Sequence, residues 1–329
     1  MNPVELCHKS GRVLRNLAYV DFGAPEDAVV LTGVPRSGTT WLGGVLQQGS
    51  GWRSIFEPLF PRYVKQSARL GYYPYSEADS DDPLLEAFLA RVLAGRIRGR
   101  WVDRDNRSCI FRGRLIKEVR WNFLLGRLNA KWPHVRILLI VRKPMPVLRS
   151  WQTLGWLSNP QLALQSFALP HLLQDRRFLR AWPRLAQALQ DAGKDNDPVL
   201  SFALQWYLSL AIPMAQLPAK AYRIAAFDSL TADPETLGAI FEFAKLPTPE
   251  VPFQALAKRR SSTDFGTQAT TSAQRAPEPG EAALTAFARA GNLLDIATDT
   301  GAEAARYREE PLRAWSAFDS KAWASRWRG

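Results

Sequence analysis

The chain carries little of the side-chain chemistry that would tie it to metal or disulfide: two cysteines, Cys7 and Cys109, and three histidines, His8, His134 and His171, among 329 residues. Two distant cysteines cannot build the disulfide framework of a small secreted domain, and so few of them point to a reducing, cytoplasmic compartment. None of these five side chains falls at zinc-ligand spacing, so no metal is expected. The amino-terminal run MNPVELCHKSGRVLRNL holds no uninterrupted apolar core of signal-peptide length. Val13, Leu14, Leu17 and Val20 suit one face of a short helix there. Internal repeats are absent, and Gly 21 with Pro 23 is an ordinary share that excludes collagen-like and low-complexity chains. The longest uncharged run, Pro198 to Ala219, is long enough to raise the question of a membrane span. Ser201, Gln205, Ser209, Pro213 and Gln216 interrupt it, which predicts a buried helix ending or kinking at Pro213.

What is present is a substantial core and an uneven charge. Apolar residues make up 46% and aromatic residues 11%, enough to exclude disorder as the default state. Net charge is +12, and the segment from Arg91 to Arg149 accounts for +13 of it: sixteen Lys and Arg face only Asp103, Asp105 and Glu118. A localised excess of this kind points to an anionic partner. No zinc-finger spacing, RNP1-like aromatic run or basic zipper accompanies it, so nucleic acid is not the expected partner.

Short β-rich apolar runs alternate with helical patterns, which predicts an α/β fold: a three-layer sandwich with a central parallel sheet. Candidate strands are Ala28 to Val34, Arg53 to Phe56, a run ending at Leu115-Ile116-Lys117, Arg136 to Val141 and Tyr222 to Phe227. Candidate helices run from about Thr39 to Gln48, Trp121 to Lys131, from Pro144 or Pro146 past Trp151, and from Asp233 to Leu246. The segments at about 59–108 and 155–196 break the alternation and read as insertions in a single domain, 1–329, that shape a substrate cleft. Ala255 to Ala282 reads as a mobile loop. The Arg/Trp-rich end, Ala314 to Arg328, reads as a terminal packing helix, with contact to a membrane surface as the alternative.

The sharpest local feature is Gly33-Val34-Pro35-Arg36-Ser37-Gly38-Thr39-Thr40-Trp41, set between a strand and a helix. Its spacing matches the phosphate-loop pattern GxxxxGK[ST], except that Thr39 stands where the lysine belongs. Glycines let the backbone curl so that its N–H groups face an anion, and the helix start adds its positive end. Arg36 and the hydroxyls of Ser37, Thr39 and Thr40 supply further donors. The missing lysine, and the cations Arg142-Lys143 where a nucleotide triphosphatase ends a strand in a metal-binding Asp, suit a less highly charged group than a triphosphate.

These residues resemble those of the sulfotransferases that use 3′-phosphoadenosine 5′-phosphosulfate (PAPS) and release PAP. Pro35 to Trp41 is similar to that family's 5′-phosphosulfate loop, and Arg142-Lys143-Pro144 through Ser150-Trp151 to its 3′-phosphate motif. Phe56-Glu57-Pro58-Leu59 and the use of Arg36 are similar to the carbohydrate branch, and Phe227-Asp228-Ser229-Leu230 with Asp233-Pro234-Glu235 and Glu242-Phe243 to a later segment. The resemblance spans roughly Val29 to Leu246. It implies a sulfotransferase fold, with Arg36, Ser37, Gly38, Thr39, Thr40, Trp41, Arg142 and Ser150 holding PAPS, and Trp41 beside the adenine or in the core.

It also implies that Lys117 and Arg36 stabilise charge on the departing oxygen while Glu57 acts as general base on an acceptor hydroxyl, on a glycan or glycolipid. Glu57 is expected to be held extended by Pro58. The small-molecule branch uses a His as base, and none of the three histidines here occupies a motif position. That branch also has a C-terminal basic segment for the 3′-phosphate, for which Lys258-Arg259-Arg260-Ser261 is a weak match. Two other readings fit the same residues: a phosphoryl-transfer enzyme (kinase) with a degenerate Walker loop, and a non-catalytic basic module for anionic polymers or membranes.

Overall fold

The computed structural model describes residues 19–48, 51–106, 108–258, 280–296 and 311–328. Its centre is a five-stranded, wholly parallel sheet formed by β2 (Ala28–Gly33), β3 (Arg53–Phe56), β5 (Arg114–Lys117), β6 (Arg136–Val141) and β7 (Tyr222–Ala226), in the order β3-β5-β2-β6-β7. A separate parallel pair, β1 (Val20–Asp21) with β4 (Ile110–Phe111), lies apart from it. The three-layer α/β architecture expected from the sequence is therefore present.

The pleat explains the layers. Successive strand residues face opposite sides, so a strand covered on both faces must be apolar at every position. Val30, Ile116, Ile137 and Leu139 join one core, with Leu85, Leu89, Leu128, Trp151 and Phe202 from helices Pro83–Leu93, Leu125–Lys131, Pro144–Thr153 and Pro198–Gln216. Val29, Leu31, Leu115, Leu138 and Ile140 join the other, with Leu42, Val45, Ile240 and Leu256 from helices Thr39–Leu46, Leu237–Ala244 and Phe253–Ala257. Truncating one such side chain, for example Leu138 to Ala, costs about 2–5 kcal/mol.

Several element boundaries differ from the sequence reading, each for a local reason. The uncharged run forms one helix, Pro198–Gln216, that continues through Pro213 and stops at Gln216. It is the one helix among the described residues long and apolar enough to cross a membrane, yet 78% of its apolar window is buried in the protein. Trp121 to Leu124 is a turn, and the helix starts at Leu125. Phe227 begins a helix, Phe227–Ala232, instead of ending β7. Pro234–Thr236 is a separate 3₁₀ turn before Leu237–Ala244.

Val20 is a strand residue; the rest of the amino-terminal helix expected around Val13 to Leu17 lies outside the described residues. Of the expected loop from Ala255 to Ala282, both ends are helical (Phe253–Ala257 and Glu281–Leu293) and most of the remainder lies outside the described residues. The carboxyl end forms two helices, Pro311–Ser316 and Ser320–Arg328. Trp315, Trp323 and Trp327 are buried, and the indole N–H groups of Trp323 and Trp327 both donate to the Leu294 carbonyl, at 2.8 and 3.1 Å. This is the packing role.

Candidate functional site

All five strands point their carboxyl ends at one cavity of about 620 Å³. Open parallel sheets bind ligands at this edge. Strands lie about 4.8 Å apart, so the sheet order is also a map of the cavity. Phe56 and Glu57 stand at the end of β3, Lys117 at β5, the loop Val34 to Gly38 after β2, Arg142 after β6 and Phe227 after β7.

The loop is held by its neighbours. At Gly33 a Cβ would meet the Ile140 carbonyl oxygen at 2.4 Å, so only glycine allows β2 and β6 to approach there. Gly38 has φ +98° and a Cβ would sit 2.3 Å from the Phe227 ring. It caps the helix Thr39–Leu46 without any side-chain hydrogen bond, leaving the cavity-facing end of that helix positive and uncapped by an acid. Arg36 adopts φ +76°, a conformation uncommon for a residue with a side chain. Two bonds explain why it persists: Arg36 Nε donates to Ser150 Oγ at 2.9 Å, and the Trp151 indole donates to the Pro35 carbonyl at 2.9 Å. Asn122 accepts from Thr32 Oγ1 at 2.7 Å, beneath the same loop.

Of the residues expected to hold a donor, Arg36, Gly38, Thr39, Thr40, Trp41 and Arg142 line the cavity. Ser37 does not: it is 1% exposed, and both its N–H and its hydroxyl donate to the Val34 carbonyl within the loop. Ser150 is joined to Arg36, where the sequence paired it with Arg142. Trp41 packs edge-on against Phe227 with ring centres 5.1 Å apart, and the Arg142 guanidinium lies 4.4 Å from the centre of the same Phe227 ring. Of the segment Lys258-Arg259-Arg260-Ser261, only Lys258 lies within the described residues.

Glu57 corrects an expectation. Its backbone is not extended but left-handed, with φ +40°. Tertiary bonds impose the turn: Glu57 N–H donates to the Lys117 carbonyl at 2.7 Å, and Leu59 N–H donates to Glu118 Oε2 at 2.7 Å. Its carboxylate accepts from Lys117 Nζ through Oε1 and from Arg120 through Oε2, the latter at 3.1 Å. Burial opposes ionisation of Glu57, but Lys117 and Arg120 outweigh it and hold the carboxyl at about 2. Glu118 behaves oppositely. It is 0% exposed, and burial pushes it up to about 7 against the pull of Arg120.

The sequence reading missed Arg120, which lines the cavity beside Glu57 and lies 4.1 Å from the centre of the Phe60 ring. Three residues beyond Lys117, it is hidden in sequence among the many other arginines of the basic segment. Also missed was the aromatic wall at the β3 edge. Trp101 stacks on Tyr63 with centres 4.1 Å apart and meets Phe56 and Phe60 edge-on at 5.1 and 5.6 Å. The segment 155–196 adds Trp156, Leu162, Gln165 and Ser166 to the lining. His171 is not in that lining; its Nε2 lies 2.7 Å from the Leu164 carbonyl.

The charge balance is one-sided. Arg36, Arg62, Arg104, Lys117, Arg120 and Arg142 line the cavity, and Glu57 is the one acid among the described residues that does. Such a site concentrates anions and can stabilise negative charge that develops within it.

No family model matches the chain, and no curated protein does. Among solved structures it is similar to the sulfotransferase domain of an olefin synthase from Synechococcus PCC 7002, at 17% identity over 83% of this chain and 95% of that one, with a TM-score of 0.42. It is also similar to a sulfotransferase from Alicyclobacillus acidocaldarius, at 13% identity over 88% and 98%, with a TM-score of 0.38. A mouse sulfotransferase complexed with PAP shares 14% identity over 94% and 91%, with a TM-score of 0.37. At this level of likeness none of them carries an argument about the chain's activity.

Proposed function

We propose that the chain is a sulfotransferase that moves the sulfuryl group of PAPS to an acceptor hydroxyl. The observation that supports this most is the union of two separately recognised motifs in one cavity: Arg36 of the loop is hydrogen-bonded to Ser150 beyond β6, and Arg36 and Arg142 face the same space. A nucleotide with anionic groups at both ends of its ribose calls for two such cation sites. Arg36, Gly38, Thr39 and Thr40 bind the phosphosulfate end, Arg142 and Ser150 the 3′-phosphate, and Trp41 with Phe227 flanks the base. PAPS supplies the activated sulfuryl group; no metal is needed where arginine, lysine and loop amides carry the charge.

Glu57 takes the proton of the acceptor hydroxyl as its oxygen bonds to sulfur in line with the departing PAP oxygen, and Lys117 and Arg36 meet the charge on that oxygen. Glu57 as it stands is too acidic to be an effective base. Sharing Lys117 with the bound donor's anion relieves Glu57 of one of its two cations and restores basicity, which couples proton removal to the presence of donor. The turn Phe56–Leu59 and the segments 59–108 and 155–196 form the acceptor side, and a sugar hydroxyl of a glycan or glycolipid suits its ring-faced wall.

Thermal unfolding in the presence of 3′,5′-adenosine bisphosphate or of ATP–Mg tests the reading, followed by transfer from labelled PAPS. Stabilisation by the bisphosphate supports it. Stabilisation by ATP–Mg alone would instead make the protein a phosphoryl-transfer enzyme.

A further inference from the structure

One buried carboxylate beside the cavity has no part in the transfer chemistry set out above. Glu118 follows Lys117, is fully buried and does not itself line the cavity. Its oxygens are committed to the frame of the site. Oε2 accepts from Leu59 N–H at 2.7 Å, which closes the turn that carries Glu57, and Oε1 accepts from Arg120 N–H at 3.0 Å. Arg120 Nη1 consequently lies between two carboxylates, 3.1 Å from Glu57 Oε2 and 3.6 Å from Glu118 Oε1. Little else anchors that guanidinium. The ring centres of Phe60 and Tyr73 lie 4.1 and 5.9 Å from it, and its buried Nε has no hydrogen-bond partner among the described residues.

Two carboxylates this close to one cation compete for it. While Glu118 is protonated, Arg120 serves Glu57 alone and keeps it a weak base. Once ionised, Glu118 draws the guanidinium towards itself and repels charge on Glu57, and both effects make Glu57 more basic. The charged and titratable groups that face Glu118 are Arg120, Glu57, Lys117 and Tyr73. Burial favours its neutral form and Arg120 opposes burial, which leaves it at about 7. We infer that Glu118 is a positioning residue that competes with Glu57 for Arg120, so that proton removal by Glu57 depends on the charge of a carboxylate that never touches the acceptor. This rests on the sulfotransferase reading for the role of Glu57 as base, but the competition itself can be measured without turnover.

Infrared difference spectroscopy of the full chain between about pH 5 and about pH 9 follows the C=O stretch of a buried carboxylic acid. Glu118 should give such a band at the acid end, absent from Glu118→Gln. In Glu57→Gln the neighbouring charge is gone and Arg120 pairs with Glu118 undivided, so the midpoint of that band should fall by about one pH unit or more. With labelled PAPS and a productive acceptor, wild-type kcat should rise about five- to tenfold between about pH 6 and about pH 8. Glu118→Gln should flatten that rise to less than about twofold, with KM for PAPS little changed.

A midpoint unmoved by Glu57→Gln overturns the inference. So does the lack of any buried acid titrating in this range, or a Glu118→Gln variant that keeps the wild-type rise in kcat. Circular dichroism shows whether Glu118→Gln is folded; if it is not, the shift in Glu57→Gln decides alone, because that variant leaves Glu118 in place. If the bisphosphate fails to stabilise the protein while the band moves in Glu57→Gln, the sulfotransferase reading falls and the shared arginine stands. Transfer from PAPS with an unmoved band separates them the other way.

Discussion

Strands β3 and β5 carry a buried cluster of charge at each end, and the two clusters are built from the same kinds of residue for opposite purposes. At the amino ends, Arg53 and Arg114 sit opposite one another in the register. Arg53 donates to Asp103 at 2.8 Å and to the carbonyls of Gly95 and Ile97, both at 2.6 Å. Arg114 donates to Asp21 at 2.9 Å and to the carbonyl of Leu93 at 2.8 Å. At the carboxyl ends, three to six residues further along the chain, Lys117 and Arg120 share the cavity-facing carboxylate of Glu57. The amino-end cations are neutralised and supplied with backbone acceptors, so they fasten β1 and the segment around Asp103 to the sheet. The carboxyl-end cations open onto a cavity that Arg36, Arg62, Arg104 and Arg142 also line, and the buried Glu118, 3.6 Å from Arg120, is pushed up to about 7 and offsets them only in part. Burial alone does not distinguish a fastening from a site; surplus charge facing space does.

The sharpest way to break this comparison is to remove one cation from each end of β5. Lys117→Ala is expected to lower kcat for transfer from labelled PAPS by about 100- to 1,000-fold and to cost less stability than the amino-end change, because Arg120 still pairs with Glu57. Arg114→Ala is expected to cost about 3–5 kcal/mol of stability, read by urea unfolding, and to leave turnover per folded molecule largely intact. If Arg114→Ala spares stability while Lys117→Ala unfolds the protein, the division of labour is reversed.

Within the cavity, Gly38→Ala forces a Cβ into the Phe227 ring at a positive φ. Binding of 3′,5′-adenosine bisphosphate should fall by more than about tenfold, with a loss of about 1–3 kcal/mol in stability. Ser150→Ala, which removes the acceptor that steadies Arg36 and the hydroxyl proposed for the 3′-phosphate, should weaken the same binding by a smaller factor, about three- to tenfold, with kcat less affected than KM. A Ser150→Ala effect on kcat alone would place that hydroxyl with the chemistry instead.

A further effect concerns pH. Glu57 is held at about 2 in the folded protein, below its ordinary 4.5. A carboxyl depressed in this way contributes stability that is fully present above about 4.5 and lost as pH falls towards 2, up to about 3 kcal/mol. Wild type should therefore exceed Glu57→Gln in stability at neutral pH, with the gap closing through that acid window. A gap that is constant with pH would mean that the ion pair with Lys117 and Arg120 does not form in solution.

The parts of the site legible in the sequence are those where local chemistry leaves few choices. The loop Gly33 to Thr40 announces itself because two glycines at close-approach positions and a helix start occupy fixed places along the chain. Arg142 was marked by lying just after β6, whose uninterrupted apolar run allows no other assignment. Lys117 and Glu57 are legible only through their likeness to sulfotransferase motifs, Lys117 at a strand end and Glu57 between Phe56 and Pro58; the left-handed backbone of Glu57 is not legible, because distant carbonyl and carboxylate partners dictate it. Arg120, Trp101 and Tyr63 gave no signal, since they reach the cavity from turns and from a long irregular segment with no period to follow.

The sequence by itself determined the layers and the anion-binding loop, because side-chain alternation along a strand and the backbone freedom of glycine act over a few residues. Which charges cancel and which stay in surplus was decided only by tertiary structure. Coulomb interaction and desolvation depend on distances through space, and Glu57, about sixty positions before Lys117 and Arg120 along the chain, comes within reach of them only when β3 and β5 lie side by side.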